Sequence, residues 1–145
     1  MRIALLGYGK MGKIIEEIAV ERGHSISLKV TSETTNYSLS DSDIAIDFSQ
    51  PEVAFKNISN ALNNGVPVVS GTTGWLEHYN KAVELCNTQN GAIIYASNFS
   101  LGVNIFFQLN KQLAKMMLAH SDYKADITEI HHTEKLDAPS GTAIT

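Results

Sequence analysis

Two stretches of this 145-residue sequence carry groups that can do chemistry. The first is Gly7-Tyr8-Gly9-Lys10-Met11-Gly12, which follows the apolar run Ile3-Ala4-Leu5-Leu6 and opens a segment of helical periodicity. Glycines in this spacing at a strand-to-helix turn let main-chain N–H groups approach a pyrophosphate, and the helix start adds partial positive charge. Gly7 permits the tight turn, Gly9 leaves room for the phosphate, and Gly12 lets helix and strand pack closely. The second stretch is Glu129-Ile130-His131-His132-Thr133-Glu134-Lys135-Leu136-Asp137-Ala138-Pro139-Ser140-Gly141-Thr142-Ala143. Adjacent histidines on an extended chain point in different directions, and Lys135 adds a cation. Ser140-Gly141-Thr142 reads as a helix start whose N–H and hydroxyl groups suit a carboxylate. Such a set suits a small acidic substrate that takes up a proton during its reaction.

The elements that must position these groups alternate. Strands are expected over residues 2–6, 25–30, 44–48, 66–70 and 92–96, and helices over 10–22, from Pro51 to Gly65, and over 75–87. On the first helix Met11, Ile14, Ile15, Ile18 and Ala19 recur at three and four, which marks one apolar face. Alternation of this kind implies a parallel sheet with crossover helices. The strand ends Asp47-Phe48-Ser49, Gly71-Thr72-Thr73-Gly74 and Ala96-Ser97-Asn98-Phe99 then share one edge, where open parallel sheets bind ligands. They are expected to wall the nicotinamide end of a dinucleotide. After Asn98 the pattern changes to a long helix over 102–120 and a strand over 123–130. The fold class is therefore α/β, a Rossmann-type doubly wound sheet over residues 1–98, with the start of a second, α+β substrate domain over 99–145. Phe106, Phe107, Met116 and Met117 read as core packing of the long helix, with cover by a partner subunit left open. One helix and one strand cannot bury their own faces, so the chain is expected to be part of a longer polypeptide, able to bind cofactor but with little catalytic activity alone.

Composition excludes several classes. The net charge of −4 and the scattered Lys and Arg leave no surface for nucleic acid. No run nears the roughly 20 apolar residues of a membrane-spanning helix, and the leading residues pass straight into a strand without a secretory pattern. A cytoplasmic location is expected. The single cysteine, Cys86, forms no intrachain disulfide and reads as a small buried group. His131, His132, Glu129 and Asp137 are ligand types, but their spacing matches no common zinc pattern, and no metal is expected. At the second strand end, Lys29-Val30-Thr31-Ser32 has no acid in place to bind a ribose 2′-hydroxyl; Glu33 lies beyond. Thr31 and Ser32, with Lys29, can face a 2′-phosphate, so NADPH is favoured over NADH, with use of both open.

In chain order, Gly7 to Gly12, Asp47-Phe48-Ser49, Gly71-Thr72-Thr73-Gly74, the segment beginning Ala96-Ser97-Asn98-Phe99, and the double-histidine segment running to Ala143 resemble the dihydrodipicolinate reductase family. The resemblance implies an NAD(P)H-dependent oxidoreductase of lysine and diaminopimelate biosynthesis, converting dihydrodipicolinate, formed from 4-hydroxy-tetrahydrodipicolinate, to tetrahydrodipicolinate. It implies proton transfer by His131 and Lys135. It has the substrate carboxylates held by His132 with Gly141 and Thr142, and the cofactor held by Gly7 to Gly12, Gly71 to Thr73 and Ala96 to Phe99. It also implies a homotetramer when full length. Two other readings stay open: a nucleotide-sensing module without chemistry, which would not need the double-histidine segment, and another two-domain reductase acting on an amino-acid-derived acid.

Overall fold

A computed structural model describes residues 1–131, 133 and 138–145. It divides into two compact units, Met1–Ala96 and Ser97–Thr145.

The first unit is built on β1 (Arg2–Leu6), β2 (Ser25–Val30), β3 (Ile44–Asp47), β4 (Val68–Ser70) and β5 (Ile93–Tyr95). All neighbours pair in parallel, in the order β2-β1-β3-β4-β5. The winding direction reverses between β1 and β3, which leaves a crevice at their C-terminal ends. Helices α1 (Lys10–Glu21), α2 (Pro51–Asn63) and α3 (Tyr79–Thr88) supply the crossovers. Successive side chains of a strand point to opposite faces, and β1 uses both. Ile3 and Leu5 pack with Ala19 of α1, while Ala4 and Leu6 pack with Ala54, Ile58, Ala61 and Leu62 of α2 and with Ala82 and Cys86 of α3. The sheet thus has a core on each side, as in a doubly wound fold.

Helix α2 follows its sequence signals closely. Pro51 occupies the first turn, where a missing N–H costs nothing, and Glu52 lies at the positive end. Helix α1 differs from the apolar face expected for it. Met11, Ile14 and Ile18 are about 40% or more exposed. The buried stripe is Gly12, with Ile15 and Ala19. Small residues bring this helix close to the sheet, and the larger apolar residues flanking that stripe stay outside. The expected helix over 75–87 begins later. Trp75 is buried and caps a 3₁₀ turn, Leu76–His78, that leads into α3. Strand β4 is shorter than expected because Val66 N–H bonds back to Ala61 of α2 and Pro67 has no N–H for the ladder.

In the second unit, α4 (Leu101–Met117) is capped by Ser100, whose Oγ accepts from Val103 N–H. None of its residues is buried, and Phe106 and Met116 are 62% and 72% exposed. The core packing expected of them is not found among the described residues. Residues 123–130 form no strand either. A strand needs a neighbour to take its N–H and C=O groups, and none is present among the described residues. A short α5 (Gly141–Ile144) follows Ser140.

Truncating Ile58, fully buried between α2 and the sheet, should cost about 2–5 kcal/mol. Urea unfolding of Ile58→Ala should show a lower midpoint with an unchanged slope.

Candidate functional site

At the reversal between β1 and β3 lies a pocket of about 250 Å³ lined by Met11, Phe48, Ser49, Pro51, Gly71, Thr72 and Thr73. It brings together the start of α1 and the ends of β3 and β4, the elements assigned to a cofactor from the sequence. Three glycines make this approach possible. Gly7, at φ +105°, lies so close to β3 that a Cβ would meet the Phe48 carbonyl oxygen at 2.2 Å. A Cβ on Gly12 would meet Gly7 O at 2.3 Å, and one on Gly71 would meet the Phe48 ring at 2.3 Å. Gly9 is different: nothing lies within 4 Å of its Cβ position. That open space, beside first-turn N–H groups that have no intrahelical partner, fits a pyrophosphate.

Under the pocket is Asp47, fully buried. Its Oδ1 accepts from Ser49 Oγ at 2.7 Å and Asn57 Nδ2 at 3.1 Å, and its Oδ2 from Thr72 Oγ1 at 2.7 Å and Ser70 Oγ at 3.1 Å. Burial raises the pKa of the Asp47 carboxyl, and the donors from Ser49, Thr72, Asn57 and Ser70 offset only part of that rise. Thr72 Oγ1 also accepts from Ser49 N–H at 2.8 Å, and Tyr37 donates its hydroxyl hydrogen to Asn57 Oδ1 at 2.8 Å.

At the other end of the glycine loop, Tyr8 donates its hydroxyl hydrogen to Glu16, and Lys29 reaches Glu16 at 2.6 Å while lying 4.7 Å over the Tyr8 ring. The hydrogen bond between them lowers the Glu16 carboxyl and raises the Lys29 ammonium. Lys29 is thus engaged by α1. Lys10 is exposed at the first turn of α1. Beyond β2, Thr31 and Thr34 close a turn: Thr31 N–H donates to Thr34 Oγ1 at 3.0 Å and Thr34 N–H to Thr31 O at 3.1 Å.

Ala96 ends the first unit, its N–H donating to Ser70 O at 3.2 Å. Ser97, Asn98 and Phe99 belong to the second unit. There Asn98 Oδ1 accepts from Ser100 N–H at 2.8 Å, and Ser97 Oγ lies 2.8 Å from Thr145 Oγ1. The second unit also gathers Glu129, His131 and Ser140. Glu129 Oε2 is 2.8 Å from His131 Nε2, and the Glu129 carboxylate accepts Ser140 N–H at 2.9 Å and Ser140 Oγ at 2.5 Å. These contacts, Ser140's hydroxyl foremost and His131's ring next, hold the Glu129 carboxyl down at about 2. Ser140 Oγ in turn accepts from Ala143 N–H at 3.0 Å. Both donors of Ser140 are therefore taken by Glu129, and it is Gly141 and Thr142 whose N–H groups remain at the start of α5 without an acceptor among the described residues. His132 and Lys135, named from the sequence as carboxylate ligand and proton donor, lie outside the described residues.

Residues 1–99 match the family described as dihydrodipicolinate reductase, N-terminus, and residues 102–145 match dihydrodipicolinate reductase, C-terminus. The chain belongs to the dihydrodipicolinate reductase family. It is 58% identical, over its whole length, to a 4-hydroxy-tetrahydrodipicolinate reductase of Christiangramia forsetii, 62% of which it covers. Over 98% of its length it is 37% identical to the reductase of that name from Staphylococcus aureus, covering 61% of it. It thus spans about three-fifths of the length of these relatives. A mutant of a hyperthermophilic archaeal homoserine dehydrogenase in complex with NADPH shares the fold, at TM-score 0.52 and 18% identity, over 65% of this chain and 43% of that one. No described helix is long and apolar enough to cross a membrane.

The sequence places Asp47 in a strand-end motif and Glu129 beside the double histidine, without assigning either a role of its own. For Glu129 a signal exists, because a spacing of two places it on the same side of an extended chain as His131. For Asp47 the signal is a carboxylate ending an otherwise apolar strand. NMR titration of the Glu129 carboxyl should give a midpoint near about 2. Because this value is depressed, the Ser140 and His131 contacts should be complete above the ordinary carboxylate range and be lost as pH falls toward that midpoint. Ser140→Ala should move the midpoint up.

Proposed function

We propose that the chain supplies the cofactor-binding part and the proton-donating segment of an NAD(P)H-dependent 4-hydroxy-tetrahydrodipicolinate reductase, an oxidoreductase of lysine and diaminopimelate biosynthesis. The observation that carries this reading is the pocket at the β1/β3 reversal, walled by Met11 of α1 and by the strand-end motifs at Phe48-Ser49 and Gly71-Thr72-Thr73; the open Cβ position of Gly9 is a second, separate support. Gly7 to Gly12, with Gly71 to Thr73 and the segment from Ala96 to Phe99, would hold the dinucleotide. The pyrophosphate would lie over Gly9 at the α1 start. When bound, the cofactor supplies a hydride equivalent to the C=N–C=C system of dihydrodipicolinate.

Hydride addition leaves negative charge on the substrate, which a proton must quench. His131 is the described group suited to this, with Lys135 assigned beside it by family likeness. Glu129 fixes His131 through Nε2, and among the described residues Nδ1 has no hydrogen-bond partner, so it can serve the substrate. Gly141 and Thr142, with His132, would take a carboxylate of this small dicarboxylate.

For the cofactor, Lys29 is committed to Glu16, which removes the cation that would most favour a 2′-phosphate. Thr31 and Ser32 offer hydroxyls to either ribose. We read the site as accepting both NADPH and NADH, with the slight preference for NADPH resting on Thr31 and Ser32 and not on Lys29. The apolar residues exposed along α4 accord with burial in the homotetramer that family likeness implies. A biosynthetic reductase of this kind works in the cytoplasm.

Calorimetry on the chain should show binding of NADPH. Gly9→Val should abolish it with little loss of folding stability, because the added atoms meet solvent rather than protein. Gly7→Ala should destabilise the fold itself by about 2–6 kcal/mol, the strain of a positive φ and the clash with the Phe48 backbone acting together. Gly9→Val binding NADPH as the parent does would defeat the assignment. In a coupled assay that generates dihydrodipicolinate, the full-length protein should oxidise NADPH, and His131→Ala should lower kcat by about 10²–10⁴-fold with cofactor affinity kept.

A further inference from the structure

We propose that Asp47 is a positioning residue: it lies under the pocket and holds its two walls, residues 48–51 and 71–73, at the separation that receives the nicotinamide half of the dinucleotide. This rests on the cofactor reading above and extends it to a residue that itself touches no ligand. Four donors from four parts of the first unit converge on the one carboxylate: Ser49 after β3, Asn57 on α2, Ser70 at the end of β4 and Thr72 beyond it. Ser49 and Thr72 line the pocket, and Asp47 does not. Thr72 Oγ1 donates to Asp47 and accepts from Ser49 N–H, so the same hydroxyl ties one wall to the other.

A carboxylate is required for this arrangement. Its two oxygens offer about four lone-pair sites, and four donors use them. An amide in its place would aim an N–H₂ group at two of those donors. A buried carboxylate without a cation is costly, and no described cation reaches Asp47. Its retention at full burial therefore calls for a compensating role, which the junction of the two walls supplies. The direction of the bound dinucleotide follows from the fold. The pyrophosphate belongs at the α1 start and the adenosine ribose at the β2 end, so the remaining half must run across the ends of β3 and β4, over Asp47.

Binding of NADPH and of ADP-ribose, which lacks the nicotinamide, separates this role from a merely structural one. Calorimetry on Asp47→Asn should show NADPH affinity lower by about 10-fold, in the range of one lost charged hydrogen bond. ADP-ribose affinity should stay within about 2-fold of the parent. Ser70→Ala removes a donor that does not line the pocket and keeps the test sound if Asp47→Asn does not fold. It should weaken NADPH by about 2–4-fold and spare ADP-ribose. Parallel losses for both ligands, or unchanged NADPH binding in a folded variant, would overturn the proposal alone. A parent chain that binds neither ligand would overturn the cofactor reading and the proposal with it.

Discussion

One buried carboxylate organises the C-terminal edge of this sheet at β3 and β4. Parallel strands are joined by backbone hydrogen bonds along their length, but beyond their last residues nothing in the ladder dictates where the chain goes. At the ends of β3 and β4 that direction is set by side chains. Asp47 collects hydroxyl and amide hydrogens from both sides of the gap, and the glycines let the same segments touch: Gly7 against the Phe48 backbone, Gly71 against the Phe48 ring. Polar convergence draws the loops together, and missing side chains set how near they come. The pocket is what remains between them.

The opposite end of the glycine loop is settled by charge. Lys29 would be the obvious cation for an anionic ribose, but Glu16 and Tyr8 hold it against α1. The pair is partly exposed and worth little to stability. Its effect is on where positive charge is offered, and the end proposed to take the phosphates is left with main-chain N–H groups and hydroxyls. In the second unit the logic is similar. Glu129 takes up both donors of Ser140 and steadies His131, so one acid links a ring that can carry a proton to the start of a helix whose next N–H groups have no acceptor among the described residues.

Much of this fold could be read from residue order, because its signals are local. The glycine loop, the Pro51 helix start and the alternating strands each depend on a few adjacent residues, and the structure places them where their patterns indicate. What could not be read depends on distant partners. The Asp47 junction needs residues 47, 49, 57, 70 and 72 to converge, and no spacing rule predicts that. The exposed apolar residues of α1 show the same limit: periodicity marks Met11, Ile14 and Ile18 as one face, but only packing through Gly12 and Ala19 decides which edge of it touches the sheet. The strand expected over 123–130 is absent for a related reason, since alternation fixes which side chains share a face and cannot supply a neighbouring strand. In the candidate site the glycine and strand-end motifs could be named from adjacent residues, whereas the joining of Glu129 to Ser140 rests on a contact across eleven positions.

The strand order has a consequence for how the unit assembles. β1 is the first strand in the chain and the central one in space, bonded on one side to β2 and on the other to β3. As the polypeptide emerges, β1, α1 and β2 can close early as a local unit. The second flank of β1 then stays open until Ile44 to Asp47 arrive, and an open flank on an apolar strand is a template for pairing with another chain. The strand that completes it ends in Asp47, so the step that covers the vulnerable edge also delivers the carboxylate. Self-protection during synthesis and construction of the ligand edge are, in this topology, the same event.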